Sequence, residues 1–332
     1  MGRKKVFAEK IENKLFENIQ KAIEWVGILK KISPSTRISI KPNFTYPCYK
    51  PGVTTSPQVI EETVKILREF TKHITIIESD GGYGTFKAEE AFKGHNIYEL
   101  CKKYNIGAVN LNKEPAENVT IVSKRREKKI LLPKRLLYET DLFITMPVPK
   151  IHCMTGLTLG FKNQWGCVPD TMRLRYHCIF DDAIIAINKI LKPVVISDGL
   201  YFLDINGPME GVPVKMDLII ASNNVGAFDR YVSELMGFPW ERVSHLKRAA
   251  QLGEMPIDLF DIDYNISPTE LRKHFFRLKR SLRNYIALMG FNSRFLTWLG
   301  YESWFGRVVL HGVLYAISGR MVETKKSTIK GD

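Results

Sequence analysis

The residues best equipped for chemistry crowd into one stretch, KIHCMTGLTLGFKNQWGCVPDTMRLRYHCIFDD, residues 150–182. Lys150, His152, Lys162, Asn163, Asp170, Arg173, Arg175, His177, Asp181 and Asp182 surround a short apolar patch, with glycines at 156, 160 and 166. The polar groups do not keep to one helical face, and Pro169 forbids one continuous helix. Amines, imidazoles and guanidiniums near carboxylates suit gripping an anion, moving a proton or holding a metal. The candidate catalytic set is His152, Lys150, Lys162 and Asp198. His152 is the expected proton-transfer group, with His177 in reserve. Lys150 and Lys162 would neutralise a carboxylate or phosphate, and Asp198 would position a lysine or a cation. A single histidine is more often structural; two of them beside Lys150, Lys162 and Asn163 favour a site.

The candidate substrate-binding residues are Lys41, Asn43, Asp80, Gly81, Gly82, Asn163, His177 and Asp229. Each has a plainer reading. Lys41 can be a solvated strand end, Asp80 a helix cap, and Asp229 half of an ion pair with Arg230. Gly81, Gly82 and Gly84 resemble a phosphate cradle. Yet GGYG lacks the spacing and the lysine of a P-loop, and a plain turn competes with that reading. Cys153, Cys167 and Cys178, with Cys48, offer four thiolates for an iron–sulfur cluster. Their spacings of 14 and 11 residues within the central stretch match no compact cluster pattern. Free buried thiols are the default. The residues name no other metal or cofactor.

These side chains need a scaffold. An amphipathic helix is expected over 7–31, then a strand at 37–41 and a long loop at 43–55. Ser56-Pro57 starts a helix running to about Phe70, since serine caps and proline fits the first helical position. A strand at 73–78, a turn at 79–85, a helix over 87–104 and a strand at 107–111 follow. Residues 119–132 read as an irregular hairpin and 141–146 as a buried strand. Further strands are expected at 194–197 and 216–221, with helices from about 179, at 225–236 and at 240–253. The alternation predicts an α/β fold, an open and mostly parallel sheet with helices on both faces. Ligands of such sheets bind outside the carboxyl ends of the strands. Lys41 and Asn43, Asp80, Lys150 and His152, Asp198, and Asn223 with Asn224 all fall at predicted strand ends. The expected organisation is an N-terminal amphipathic helix over 1–35 packed on the main domain, an α/β core over 36–265, and a basic helical extension over 266–332.

The 332 residues carry a formal charge of +14, and residues 269–332 hold 12 Lys plus Arg against 4 Asp plus Glu. A basic tail suits an anionic membrane surface, or it is a solubilising face; nucleic acid is not favoured. Residues 303–318 are apolar but carry Arg307 and His311, too short and too charged to span a bilayer. They suit either an interfacial position, with Trp298 and Trp304 at headgroup depth, or a hairpin packed on the domain. Five cysteines without a CxxC, and no secretory core at the start, lead to an expected cytoplasmic location. It would be peripheral to the inner face of the membrane if the tail docks there.

Several motifs carry a family resemblance: IKPNF at 40–44, TTSPQVI at 54–60, PKIHCMTGLTLGFKNQWG at 149–166 and FDDAIIAINKILKPVVISDG at 180–199. NGPMEGVP at 206–213 and IIASNNVGAFDRYVSELMGF at 219–238 complete them. The sequence resembles the bacterial and archaeal domain-of-unknown-function family numbered 362 over roughly residues 36–253. The resemblance implies no general activity. It marks Lys41, Asn43, Lys150, His152, Lys162, Asn163, Asp198 and Asp229 as the matching positions. Some relatives carry ferredoxin-type cysteine clusters, which this chain lacks. Asn223 and Asn224 stand where the resemblance implies an acidic residue.

The sequence therefore supports an enzyme acting on an anionic small molecule in a Lys/His/Asn/Asp-lined cleft. The alternatives are a non-catalytic ligand- or membrane-surface-binding protein using the basic tail, and a cysteine-held iron–sulfur protein.

Overall fold

Isoleucines and polar residues alternate along Ile38–Pro42, and a strand sends successive side chains to opposite faces. Ile38 and Ile40 enter the core on one face, while Ser39 and Lys41 turn to the other.

The computed structural model describes residues 3–12, 14–299 and 303–306. It opens with β1 (Lys5–Lys10), α1 (Leu15–Trp25), β2 (Ile38–Pro42), α2 (Pro57–Arg68) and β3 (Ile74–Glu78). Next come α3 (Ala88–Gly94), α4 (Ile97–Tyr104), β4 (Gly107–Asn110), the hairpin β5 (Ala116–Ser123) and β6 (Arg126–Pro133), and α5 (Lys134–Tyr138). The middle contains β7 (Leu142–Met146), β8 (Lys150–His152), β9 (Gly156–Thr158), α6 (Gly160–Asn163) and α7 (Phe180–Leu191). Then follow β10 (Val194–Asp204), β11 (Val212–Ser222), α8 (Val225–Leu235), α9 (Ser244–Gln251), β12 (Asp263–Tyr264) and α10 (Pro268–Leu271), and last α11 (Leu282–Asn292) and α12 (Arg294–Thr297).

The main sheet runs β12-β1-β11-β10-β7-β2-β3-β4, with β8 pairing to β10 and β9 to β8. Strands β10, β7, β2, β3 and β4 are mutually parallel, whereas β11 runs against both β10 and β1. The mostly parallel α/β sheet is thus present. On one face, Ile38, Ile40, Ile76, Ile144 and Ile196 pack with Ile19 and Ile23 of α1 and Val59, Ile60 and Val64 of α2. α2 starts as its sequence dictates: Ser56 accepts the Val59 N–H and Pro57 takes the first helical position.

Two compact units divide the chain, Met1–Thr171 with Ile179–Arg280, and Met172–Cys178 with Ser281–Asp332. The sheet and the cluster described below belong to the first. Residues 307–332, which hold much of the basic tail and most of the apolar stretch 303–318, lie outside the described residues.

Four expectations are corrected. The helix expected over 7–31 is a strand at its start: β1 lies between β11 and β12, and Val6, Phe7 and Ala8 are all buried there. Phe7 and Ile11 fit helical spacing, but pairing inside the sheet overrides it. The helix expected over 87–104 is two helices, broken where Asn96 adopts φ 57°. β10 does not end at Ser197 but continues to Asp204, so Asp198 lies within a strand. β11 runs antiparallel to β10, with Ser222 opposite Val195. Asn223 and Asn224 therefore lie beyond the amino end of β10, on the rim away from Lys41.

Candidate functional site

Lys41 and Glu78 sit at the ends of the neighbouring parallel strands β2 and β3. Lys41 Nζ lies 2.9 Å from both Glu78 oxygens and donates to the Pro42 carbonyl at 3.0 Å. Glu78 also accepts the N–H groups of Phe44, at 3.2 Å, and Ser79, at 3.0 Å. Both side chains are buried. An ion pair survives burial only when its remaining hydrogen-bonding capacity is met, as it is here. Gly166 makes the close fit possible: a Cβ there would lie 2.8 Å from Lys41 Cε and 3.0 Å from Glu78 Oε1.

One residue beyond β2, Asn43 bridges two segments. Its Nδ2 donates to Asn163 Oδ1 at 2.8 Å, and its Oδ1 accepts Lys150 Nζ at 2.6 Å. Lys150 also donates to the Val53 carbonyl at 2.5 Å. Asn163 Nδ2 continues the chain of bonds to Thr145 Oγ1, at 2.7 Å, and to the Lys41 carbonyl, at 3.3 Å. Thr145 passes it to Gln164, and Gln164 to Asn188 at 2.6 Å. Asn43, Lys150, Asn163, Gln164 and Asn188 are all buried.

Lys150 is fully buried, at 0% exposure, and burial drives its ammonium down to about 7. The field of Asp198 works against that shift and the field of Lys41 adds to it. Asp198 is pushed the other way. Burial raises its carboxyl, although the N–H groups of Ser56, at 2.6 Å, and Leu200, at 3.0 Å, oppose the rise, as does Lys150. The pair is thus held nearer to neutral from both sides. Tyr49, in loop 43–55, is pushed up to about 12 by burial and by Asp198. That loop is tied down across the cluster, because Asn43, Val53, Thr55 and Ser56 bond Lys150, Met146 and Asp198.

The hairpin of β8 and β9 carries the remaining candidates. His152 is half-buried, and its Nδ1 accepts the Met154 N–H at 3.1 Å and the Thr155 N–H at 3.4 Å, closing the turn. Lys162 Nζ donates to Thr155 Oγ1 at 2.8 Å. Burial holds its ammonium well below the usual lysine range. Lys162 in turn bears on His245, which sequence reasoning missed. His245 lies on α9 at 0% exposure, and neither ring nitrogen has a hydrogen-bond partner. Burial drives it down to about 3, with Lys162 adding to the shift. The signal was available: His245 shares the inward face of α9 with Leu246 and Ala249. Gln164 and Asn188 were also missed. Asn188 sits among Ile184, Ile187 and Leu191 on the apolar face of α7, where a lone amide is out of place.

Other candidates do not join the cluster. Asp80 is a helix cap, accepting the Ala88 N–H at 3.0 Å and Asn110 Nδ2 at 2.8 Å while pairing with Lys87. Burial raises its carboxyl, but those partners override it and leave it below its ordinary value. Gly81 spends its N–H on the Phe86 carbonyl at 2.9 Å, and Gly82 opens a single tight turn, Gly82–Gly84, so the glycines form the turn and not a cradle. Asp229 accepts the N–H groups of Gly160, at 2.7 Å, and Phe161, at 3.2 Å, and so caps α6 from α8. It makes no ion pair with Arg230, whose partner is Glu234. His177 and Cys178 fall in the second unit. Cys48 is exposed and Cys167 buried, and among the described residues no three of His, Cys, Asp and Glu group as metal ligands. The described geometry therefore offers no ready-made thiolate cluster.

Fold and cluster together define a class: an α/β protein whose open sheet ends in a buried network of lysines, amides and carboxylates. The chain belongs to the family described as Domain of unknown function (DUF362), whose profile matches residues 38–234, more than half of the chain. Lys41, Asn43, Glu78, Lys150, Asn163, Asp198 and Asp229 fall inside that match; His245 falls outside it. A thylakoid-associated protein of Synechocystis sp. is 29% identical over 126 residues, 36% of this chain. The match spans 39% of that relative's length. A crystal structure of a Thermotoga maritima protein aligns at 15% identity with a TM-score of 0.41, covering 74% of this chain and 59% of that one.

Proposed function

We propose that this chain is an enzyme carrying out proton-transfer chemistry on a carboxylate- or phosphate-bearing small molecule, with Lys150 as the proton-transfer group. One observation carries the reading. A fully buried lysine is driven to about 7 while its neighbour Asp198 is raised. A buried lysine brought near neutral pH, beside a carboxyl raised above its ordinary value, can give and take a proton at low cost, which suits acid–base catalysis. A lysine serving packing alone gains nothing from such a neighbour, since an apolar side chain of similar volume fills the space without loss of solvation. Lys41, paired with Glu78, fixes the neighbouring strand ends, and Asn43 and Asn163 orient what binds. His152, with Nδ1 committed to its own turn, takes a positioning role in place of the proton transfer expected of it. Substrate access requires movement of loop 43–55.

The test has two readouts. Nuclear magnetic resonance of ¹³Cε-labelled lysine should show one resonance, absent from Lys150→Met, titrating near 7. Native mass spectrometry of protein purified from its own host should show a retained anionic compound that Lys150→Met loses. A Lys150 midpoint near the ordinary value of 10.5, or an undiminished ligand in the variant, removes the reading.

A second reading rests on a different surface. Leu282, Tyr285 and Met289 of α11, spaced for one helical face, are 77%, 54% and 69% exposed. Phe295, Trp298 and Trp304 are exposed nearby in sequence. Apolar and aromatic residues beside Arg294 suit the interface of an anionic bilayer. No helix among the described residues is long and apolar enough to cross a membrane. The relative's description as thylakoid-associated supports this reading of the tail. Co-sedimentation with phosphatidylglycerol vesicles should fall in Met289→Glu and Trp304→Glu, and unchanged sedimentation refutes it.

A further inference from the structure

A second basic site lies in the first unit, and its lining shares no described residue with the Lys150 network. Gly237, Phe238, Pro239 and Arg242, with residues 275–278 and Arg280, line a cavity of about 480 Å³. Its lining includes Arg242, Arg277 and Arg280, and among the described residues no carboxylate. Phe238 and Phe275 supply its apolar wall. Like charges around one hollow repel each other unless an anion lies among them. Here, among the described residues, the guanidiniums of Arg242 and Arg277 make no hydrogen bond or ion pair, and both residues are exposed.

The framework holding these side chains is well fixed. Arg280 Nε donates to the Cys153 carbonyl at 2.6 Å. Asp204, the carboxylate that bonds this segment, is spent elsewhere. It pairs with His274 at 2.7 Å and accepts the Arg277 backbone N–H at 2.7 Å, so it anchors the chain without neutralising the guanidinium. The Phe276 N–H donates to the Met236 carbonyl at 3.0 Å and the Lys279 N–H to the Ile205 carbonyl at 3.1 Å. Gly237, at φ 62°, lets the Phe275 ring press close: a Cβ there would lie 2.5 Å from that ring. A preformed hollow lined by unspent planar donors and by aromatic rings offers charge and apolar contact together.

We infer that this cavity is a binding site for a phosphomonoester that carries an apolar group. Arg242 and Arg277 take the phosphate oxygens, Arg280 adds a fixed positive charge, and the Phe238 and Phe275 rings cover the apolar portion. The phosphate belongs either to a free metabolite or to a lipid headgroup, and the two sources share this chemistry.

The probe is 1-naphthyl phosphate, titrated into the full-length protein by its own fluorescence, with 1-naphthol as the uncharged control. Saturable binding is expected for the phosphate alone, weakened by added salt. Each of Arg242→Ala and Arg277→Ala should weaken it on the order of tenfold, the effect of losing one charged hydrogen bond. Both side chains are exposed, so both variants should keep the wild-type thermal midpoint and circular dichroism. Lys150→Met should bind the probe as wild type does, which separates this cavity from the Lys150 network. Vesicles of phosphatidylcholine with and without phosphatidic acid form the second arm. Loss of phosphatidic-acid-dependent sedimentation in Arg242→Ala/Arg277→Ala assigns the phosphate to a lipid. Retained sedimentation with lost probe binding assigns it to a free compound. Absence of saturable probe binding, or equal affinity in the folded double variant, overturns the inference.

Discussion

Asn43 Oδ1 lies 2.6 Å from Lys150 Nζ, joining residues 107 positions apart. The same amide donates to Asn163, so one side chain links the end of β2 to β8 and to α6. Removing it takes one of two hydrogen bonds from the buried Lys150 amine and the donor from the buried Asn163 Oδ1. Asn43→Ala should destabilise the fold by about 2–4 kcal/mol, since each unsatisfied buried group costs roughly 1–3 kcal/mol. Asn43→Ser, which keeps one acceptor, should cost less. Urea midpoints of the two variants decide it, and equal loss in both refutes the bridging role.

Lys150 gives the stability of the protein an alkaline dependence. Its folded value is about 7 against an ordinary 10.5. As pH falls from 10.5 to 7 the unfolded chain takes up a proton that the folded chain refuses, so stability drops by ~1.4 kcal/mol per pH unit. Below 7 both states hold the proton and the difference stays constant. Lys150→Met lacks this slope. The wild-type minus variant stability, measured by urea unfolding between pH 7 and pH 10, should therefore rise with pH; a flat difference contradicts the shift.

Two buried histidines set the acid limb. His95 is driven by burial to about 4 and His245 to about 3, from an ordinary 6.5. Both are depressed bases, so the unfolded state binds the extra proton below 6.5 and stability falls as pH drops, by ~1.4 kcal/mol per unit for each ring. The His95 contribution ends near pH 4 and that of His245 near pH 3. His95→Gln and His245→Phe should each flatten the limb. At pH 7, His245→Phe should stay within about 1 kcal/mol of wild type, because the ring nitrogens it removes have no partners to lose. An unchanged acid slope in both variants would falsify the assignment.

Asp229 holds the amino end of α6, and with it Lys162 and Asn163. Asp229→Ala leaves the Gly160 and Phe161 N–H groups buried without acceptors, a loss of about 2–4 kcal/mol. Asp229→Asn keeps one carbonyl oxygen and should recover part of it. Gly160→Ala should fail by a separate route, because its Cβ would lie 2.7 Å from both Asp229 Oδ1 and Val225 Cγ2. Thermal midpoints should rank wild type above Asp229→Asn and Asp229→Asn above Asp229→Ala.

Local sequence determined much of this protein. Alternation in Ile38–Pro42 and Ile74–Glu78, and the Ser56-Pro57 helix start, fix elements through contacts a few residues apart. The α/β sheet was legible for that reason. What only the tertiary structure decided depends on partners far along the chain. Strand direction is one case: β11 lies antiparallel to β10, which sends Asn223 and Asn224 to the opposite rim. The fate of each polar group is another. Asp80, Asp198 and Asp229 have the same side chain and all accept backbone N–H groups, yet of the three only Asp198 also feels the field of the buried Lys150. No residue type encodes that difference, because a carboxylate's role follows from which donors and charges the fold brings beside it and how much water it leaves there.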